Sequence, residues 1–432
     1  MTDSLIIGTG RRGPSSVPLN RLNRHLLIAG ATGTGKTTTA AAFCERLTDE
    51  GVPVLALDAK GDLEGATRHR GRVLDPFGER GATRPLDLEL IGPDTLARAL
   101  DLSDAQSGAL FVAFRVAEIE GFSLSSLADL RKVLHFCNSN AAAVADRVGL
   151  ISPTSAAAVG RALLRLELDA GAAFGVSPSF HRLDPFEAAQ LGGLTVISAA
   201  RLARTPGLYG ATAAYILTRL FERAPEVGDL ERPALAVFLD EAHLIFDGAP
   251  VPIVRRLGQA VRLIRSKGIC CIFATQSPGD LPPEIAGQLQ TRIQHGLRAI
   301  TPAQRVALKA AADSMPAADD FDTLGELQRL PIGAAVVSAA GSNGDPTPAD
   351  VVKIAPGRAT LGPLAADELQ LDPVFPDPAA GIDFSDPPAP VADMESPAQV
   401  QAVRPAFGFW RSVAAVILAG WILSQIFPGP PV

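Results

Sequence analysis

"HLLIAGATGTGKTTTAAAFCERL", His25–Leu47, is a short apolar run, a glycine-rich turn and a run of helix formers. Its middle, Gly30–Thr37, reads G-x-x-x-x-G-K-[ST] in full. The spacing has a physical reason. Glycines let the backbone turn its N–H groups inward around an anion, and the helix that follows presents its positive N-terminus to the same place. Lys36 would reach the terminal phosphates of a nucleotide, and the Thr37 hydroxyl would ligate Mg²⁺. The candidate nucleotide-binding residues are Gly30, Ala31, Thr32, Gly33, Thr34, Gly35, Lys36, Thr37 and Thr38. The cofactors they imply are ATP and Mg²⁺.

Outward from this stretch the pattern repeats. "VPVLALDAKGD", Val52–Asp62, is a second apolar run with a polar end. Strand, glycine turn, helix and strand make the βαβ unit of a parallel sheet. Residues 85–190 have helical spacing and few strand signals, so they read as an inserted helical region. Strands resume at "GLTVISAARL", "ALAVFLDEAH", "GICCIFATQS" and "RIQHGLRA", with a helix predicted at "YGATAAYILTRLFERA". Thr301 and Gln304 form a predicted capping box, and Asn343-Gly344 a predicted hairpin turn.

The run ending in Asp240-Glu241 is the candidate hydrolytic strand. Asp240 would hold the Mg²⁺ shell, and Glu241 would polarise the attacking water. Gln276 ends the next strand, expected to lie between the phosphate-loop strand and the acidic one, where it would contact the γ-phosphate or the water. His243 reads either as a relay or as a structural histidine, and the structural reading is preferred. "PIVRRLGQAVRLIRSKG", Pro252–Gly268, is amphipathic, with Ile253, Leu257, Ala260, Val261 and Ile264 on one face and Arg255, Arg262 and Arg265 on the other. Arg262 and Arg265, or Arg292 and Arg298 further on, are candidates for a cation supplied to a neighbouring subunit.

The letters DEAH at Asp240–His243 also name a class of RNA helicases. That class needs a Ser-Ala-Thr run and a second RecA-like core, and neither is here. The motifs "NRHLLIAGATGTGKT", "LDAKGDLEG", "FLDEAHLIF", "AVRLIRSKGICCIFATQSPGDLP" and "GQLQTRIQHGLRA" instead resemble, in order, the HerA/FtsK superfamily of P-loop ATPases, most of all bacterial HerA-like helicases of unassigned function. The resemblance implies a ring, typically a hexamer, that moves double-stranded DNA through a pore. By motif position it assigns Lys36 and Thr37 to the phosphate loop, Asp240 and Glu241 to the acidic pair, and Gln276 to the sensor. Arg262 and Arg265 fall in the region associated with the trans-acting arginine. The short stretch ahead of Gly30 leaves no room for the N-terminal β-barrel of archaeal relatives, which puts a nuclease partner in doubt. The alternatives are a secretion or conjugation ATPase with the same site, and a nucleotide-dependent scaffold tethered to a membrane.

The expected fold class is α/β. It is a RecA-like P-loop NTPase core of the additional-strand, catalytic-glutamate kind, with a helical insertion and a disordered C-terminal linker. The divisions are 1–84 and 191–355 for the core, 85–190 for the insertion, 356–406 for an acidic Pro-rich linker and 407–427 for an apolar helix. The chain has 432 residues, 47% of them hydrophobic, enough for a large core. Its net charge of −7 is matched by residues 359–408 alone, with eight acids against Arg404, so the remainder is near neutral. Four cysteines without C-x-x-C spacing fit a reducing compartment, and Cys270 and Cys271 read as core. No apolar run of signal-peptide length stands near Met1. Phe407–Phe427 spans 21 residues around an uninterrupted apolar stretch of eleven, Val413–Leu423. A crossing helix needs about 20. The expectation is a cytoplasmic motor anchored to the inner membrane by this segment, with Arg404 and Arg411 on the cytoplasmic side.

Overall fold

The apolar runs become the centre of one sheet. The structure, a computed structural model, describes residues 4–68, 71–175, 182–249, 251–316, 321–341 and 343–369. All lie within a unit that spans residues 1–386. The strands are β1 (Ser4–Gly10), β2 (Gly13–Pro18), β3 (Leu26–Ala29), β4 (Val54–Asp58), β5 (Gly71–Asp75), β6 (Ala82–Thr83), β7 (Leu194–Ser198), β8 (Leu235–Leu239), β9 (Ile269–Thr275), β10 (Thr291–His295), β11 (Ala334–Ser338) and β12 (Asp350–Ile354). The helices are α1 (Lys36–Asp49), α2 (Leu88–Ala99), α3 (Asp104–Glu120), α4 (Leu127–Ser139), α5 (Ala141–Arg147), α6 (Pro153–Ala170), α7 (Pro185–Gln190), α8 (Pro206–Arg223), α9 (His243–Phe246), α10 (Val251–Leu263), α11 (Pro283–Ala286), α12 (Pro302–Asp313) and α13 (Thr323–Arg329).

Among the described residues the sheet order is β2-β1-β12-β11-β10-β3-β9-β8-β4-β7-β5-β6. From β10 to β6 every neighbouring pair is parallel. The far end, β11, β12, β1 and β2, is antiparallel. β9 lies between β3 and β8, as expected, with Ala29 beside Thr275 and Leu239 beside Phe273. The central strands β3, β4, β8 and β9 are buried throughout. That is why they read as unbroken apolar runs rather than alternating ones.

Period-two alternation still sorts their side chains between two cores. Leu27, Leu57, Leu239, Cys271 and Phe273 join the core under the helices of the insertion, with α8 and α10. Ile28, Ala56, Phe238, Cys270 and Ile272 face the other way, onto Ala40, Phe43 and Leu47 of α1. Between β6 and β7 the described chain is helical, α2 to α7. Leu110, Leu130 and Leu163 from these helices share one continuous core with Leu55 and Leu239 of the sheet. The insertion is therefore an enlarged second layer on one face of the sheet.

Four strands were not foreseen. β1 and β2 form a hairpin, β5 is a short strand beginning Gly71-Arg72, and the two-residue β6 pairs beside it. The expected hairpin does join β11 to β12, and Thr301 and Gln304 do form a capping box at the start of α12.

The linker expectation is corrected at its near end. Residues 356–369 pack on the body instead of leaving it. Arg358 N donates to Glu45 Oε2 at 2.7 Å, and its guanidinium holds both oxygens of Asp49 at 2.7 and 2.8 Å. Gly65 N donates to Gly362 O at 3.0 Å, and Gly362 N to Asp62 O at 2.9 Å. Leu364 is buried, and Arg68 grips Glu368 with two hydrogen bonds. Proline and acid content suggested no core here. The strap is held by polar contacts to α1 and to the turn after β4, which composition does not register. The rest of the predicted linker and the 407–427 segment lie outside the described residues. Among the described residues no helix is long and apolar enough to cross a membrane.

Candidate functional site

The site forms where β3, β8, β9 and β4 end side by side. After β3 the chain makes the phosphate loop. Gly30 N donates to Thr275 O and Ala31 N to Gly296 O, each at 3.2 Å, so the loop is tied to the ends of β9 and β10. Gly35 sits at φ +107°, and a Cβ there would lie 3.2 Å from the backbone of Gly333. Glycine is needed both for the turn and for that approach. Beneath the loop, His295 Nδ1 donates to Ala334 O at 3.0 Å, so its Nε2 accepts from Thr39 Oγ1 at 2.9 Å. Burial, with Lys36 nearby, pushes this imidazole down to about 4, so it is a neutral pillar under the loop. Thr38, one of the expected binding residues, is exposed on the first turn of α1, whereas Thr39 is buried.

Lys36 is buried, and its Nζ makes no hydrogen bond; the closest acid is Glu241 Oε1, at 3.6 Å. A buried ammonium so held has donors to give to a phosphate. Asp240 follows β8, with its N–H on Leu57 O at 3.1 Å and its carbonyl accepting from the hydroxyl of the fully buried Tyr209. Burial, then the charges of Asp58 and Glu241, raise its carboxyl to about 7 against the pull of Lys36. Thr37 stands half-buried in the first turn of α1 and offers a hydroxyl. One hydroxyl and one carboxylate fit Mg²⁺, which is usually held by one or two protein oxygens together with substrate phosphates and water. Among the described residues no cluster of His, Cys, Asp and Glu makes a metal cage of its own.

Glu241 sits at φ +39°, a left-handed conformation that a non-glycine residue rarely adopts. Ala242 N donates to Ala274 O at 2.8 Å and fastens the turn to β9. The Glu241 side chain is buried, paired with Lys60, and its Oε2 lies 3.2 Å from His243 Nδ1. Burial alone would raise its carboxyl, but His243, Lys60 and Lys36 more than offset this and hold it well below the usual range. The same pairing raises the His243 imidazole. His243 thus stands beside Glu241 at the site.

A cleft of about 790 Å³ opens beside these groups, lined among others by Ala31, Thr32, His243, Gln276 and Arg298. Lys36 and Glu241 are not on its lining; His243 connects the two places. Gln276 is exposed at the end of β9, facing this cleft, as its position in the strand order requires. Arg298 is exposed there as well, whereas Arg292 is spent on the carbonyls of Ala286 and Leu289.

Arg262 and Arg265 are elsewhere. α10 forms with Leu257, Ala260 and Val261 of the predicted apolar face buried, Ile253 partly buried, and Arg255 and Arg262 exposed. Arg265 lies in the turn ahead of β9, 3.5 Å from Asp229, at the amino end of the sheet. That is about 20 Å from the phosphate loop, the length of a seven-residue strand. Within one chain neither arginine can serve the site.

Sequence reasoning assigned no role to Lys60, Tyr209 or the His295–Thr39 pair. Lys60 sits in "DAKGD" at the end of an apolar run, which was the available signal. Its reach to Glu241 depends on β4 lying next to β8, which the sequence order conceals.

The profile of the family described as "Helicase HerA-like C-terminal" matches residues 4–87 and 71–374. A stretch of 60 residues is 37% identical to the DNA double-strand break repair helicase HerA of Sulfolobus acidocaldarius, over 14% of this chain and 12% of that protein. Among solved structures, VirB4 of Thermoanaerobacter pseudethanolicus superposes with a TM-score of 0.62 at 16% identity, over 83% of this chain and 98% of that one. The plasmid coupling protein TrwB in complex with the ATP analogue ADPNP gives 0.59 at 15% identity, over 84% and 92%. At such identities these likenesses show the fold: a RecA-like P-loop core.

Proposed function

The chain belongs to the HerA-like helicase C-terminal family of P-loop ATPases, and from that premise we propose that it is an ATP-hydrolysing, Mg²⁺-dependent motor. It works as a homo-oligomeric ring, with six subunits as the family resemblance implies, and it translocates double-stranded DNA. One observation carries the ATPase part of the reading: Lys36, Thr37, Asp240, Glu241 and Gln276 stand at the carboxyl ends of neighbouring strands; the ring and the DNA rest on the family resemblance.

In this reading the backbone N–H groups of Gly30–Thr37 cradle the phosphates, and Lys36 grips the β and γ oxygens. Thr37 and Asp240 hold Mg²⁺, which when bound offsets the charge of the phosphates. Glu241 orients the attacking water and accepts its proton, and Gln276 contacts the γ-phosphate or that water. The transition-state cation comes from a neighbouring subunit.

The test is the ATPase rate of the purified chain with and without duplex DNA, over a salt series. Stimulation that fades as salt rises is the expected result, because binding to phosphates releases counterions. A rate indifferent to DNA at low salt would reject the DNA motor. It would favour the second reading, a secretion- or conjugation-type ATPase acting on polypeptide, a reading suggested by the fold shared with a bacterial conjugative coupling protein.

The 407–427 segment is proposed to tether the motor to the cytoplasmic face of the membrane. Carbonate-resistant membrane association that disappears when residues 407–432 are deleted is expected; a full-length chain found wholly in the soluble fraction would refute the tether.

A further inference from the structure

Glu241 is crowded by two ammonium groups and an imidazole. Lys60 pairs with its Oε1, Lys36 approaches that same oxygen at 3.6 Å, and His243 stands 3.2 Å from the other oxygen. Lys36 is accounted for by the phosphate loop. Lys60 has no such assignment, yet its backbone is held with care. The Asp58 carboxylate accepts the N–H groups of Lys60 at 3.1 Å, Gly61 at 2.9 Å and Leu63 at 2.8 Å. Gly61 closes the turn at φ +79°. The turn sits at the carboxyl end of β4, whose neighbour is β8, with Leu57 opposite Leu239. The Lys60 side chain is 39% exposed, whereas that of Glu241 is only 5% exposed.

We propose that Lys60 is a second phosphate-directed cation, which exchanges Glu241 for a γ-phosphoryl oxygen of bound ATP and so leaves the carboxylate free to act on water. The inference rests on the reading of Glu241 as the water-activating group. Two ammonium groups stand within reach of one carboxylate oxygen, so a phosphoryl gripped by Lys36 lies in the neighbourhood of Lys60 as well. The surplus positive charge is suited to the extra negative charge that distinguishes ATP from ADP.

The experiment compares binding of fluorescently labelled ATPγS and ADP to the full-length chain and to its Lys60→Met, Lys60→Arg and Lys36→Ala variants. Thermal melting establishes that each variant is folded. Lys60→Met should weaken ATPγS binding about tenfold, as loss of one charge-assisted hydrogen bond does, and change ADP binding by less than about twofold. Lys60→Arg should retain most of the discrimination, because the charge is kept. If Lys60 only neutralises Glu241, the ratio of the two affinities stays at the parent value, and the proposal falls. Should ADP binding not depend on Lys36, the phosphate site itself is misassigned, and Lys60 falls with it. Unchanged discrimination with Lys36 dependence intact rejects Lys60 alone.

Discussion

Glu241 pays a backbone cost for its position. Its φ of +39° is of the order of 1 kcal/mol worse than an ordinary turn, and the bond from Ala242 N to Ala274 O holds it there. Glu241→Gln keeps the shape and removes the charge, so it should bind ATP and lose hydrolysis by at least about a hundredfold. Lys36→Ala should lose binding as well. Parent-rate turnover by the glutamine variant in a coupled ATPase assay would refute the assignment. His295 makes a prediction about pH. Its imidazole is neutral in the fold down to about 4, while an unfolded histidine takes its proton near 6.5. Below 6.5 the unfolded state therefore binds more protons, and stability falls as pH drops towards 4. His25, also lowered to about 4 by burial, acts in the same direction. His295→Gln should show a shallower loss of urea stability between pH 7 and 4 than the parent chain; an unchanged slope would reject the neutral pillar. At this scale the spacing of Gly30, Gly35, Lys36 and Thr37 was legible, because a local turn needs only local residues. Lys60 and Tyr209 were not, because each acts on a residue beyond another element, about 180 and 30 positions away.

Among the elements, the strap of residues 356–369 departs most from what composition suggested. It fastens the far end of α1 to the turn after β4. Gly65 is its tightest point, since a Cβ there would lie 1.8 Å from Thr360 O. The backbone of Gly65 is not left-handed, so alanine would be tolerated were the strap not there. Gly65→Ala should cost at least about 2 kcal/mol, from lost burial of Leu364 and lost hydrogen bonds. Ending the chain at 355 should cost a similar amount relative to ending it at 369. In the shorter chain the alanine should then be nearly silent, because both changes remove one interaction. Additive losses in urea unfolding would show that Gly65 matters for some other reason. The capping box at Thr301, the amphipathic α10 and the β11–β12 hairpin were legible from periodicity and turn chemistry. β1 and β2 escaped because "SLIIGTGRRGPSSVP" was read only for what it lacked as a leader. Strap contacts such as Arg358–Asp49 escaped because they join residues over 300 positions apart.

At the scale of the whole molecule, the position of Arg262 and Arg265 decides what role they can have. Both stand at the amino end of a sheet whose chemistry is at the carboxyl end, so only a neighbouring chain can use them. Their alanine variants should bind ATP and turn over slowly, by the 10³ to 10⁵ typical of a lost arginine finger. Mixing either with the Lys36→Ala chain should restore part of the rate, since mixed rings pair an intact loop with an intact arginine. No recovery at any ratio, with subunit exchange confirmed, would end the trans assignment. The strand order has a further consequence, in time. β3, which carries the phosphate loop, is flanked by β9 and β10, and β1 pairs with β12. On a ribosome the loop emerges before its second flanking strand, which is complete only at His295, roughly 270 residues later. At about 5–20 residues per second the wait is on the order of 13 to 50 seconds. For that interval the chain carries its most recognisable motif without both of its supports, and ability to bind nucleotide must wait for β10.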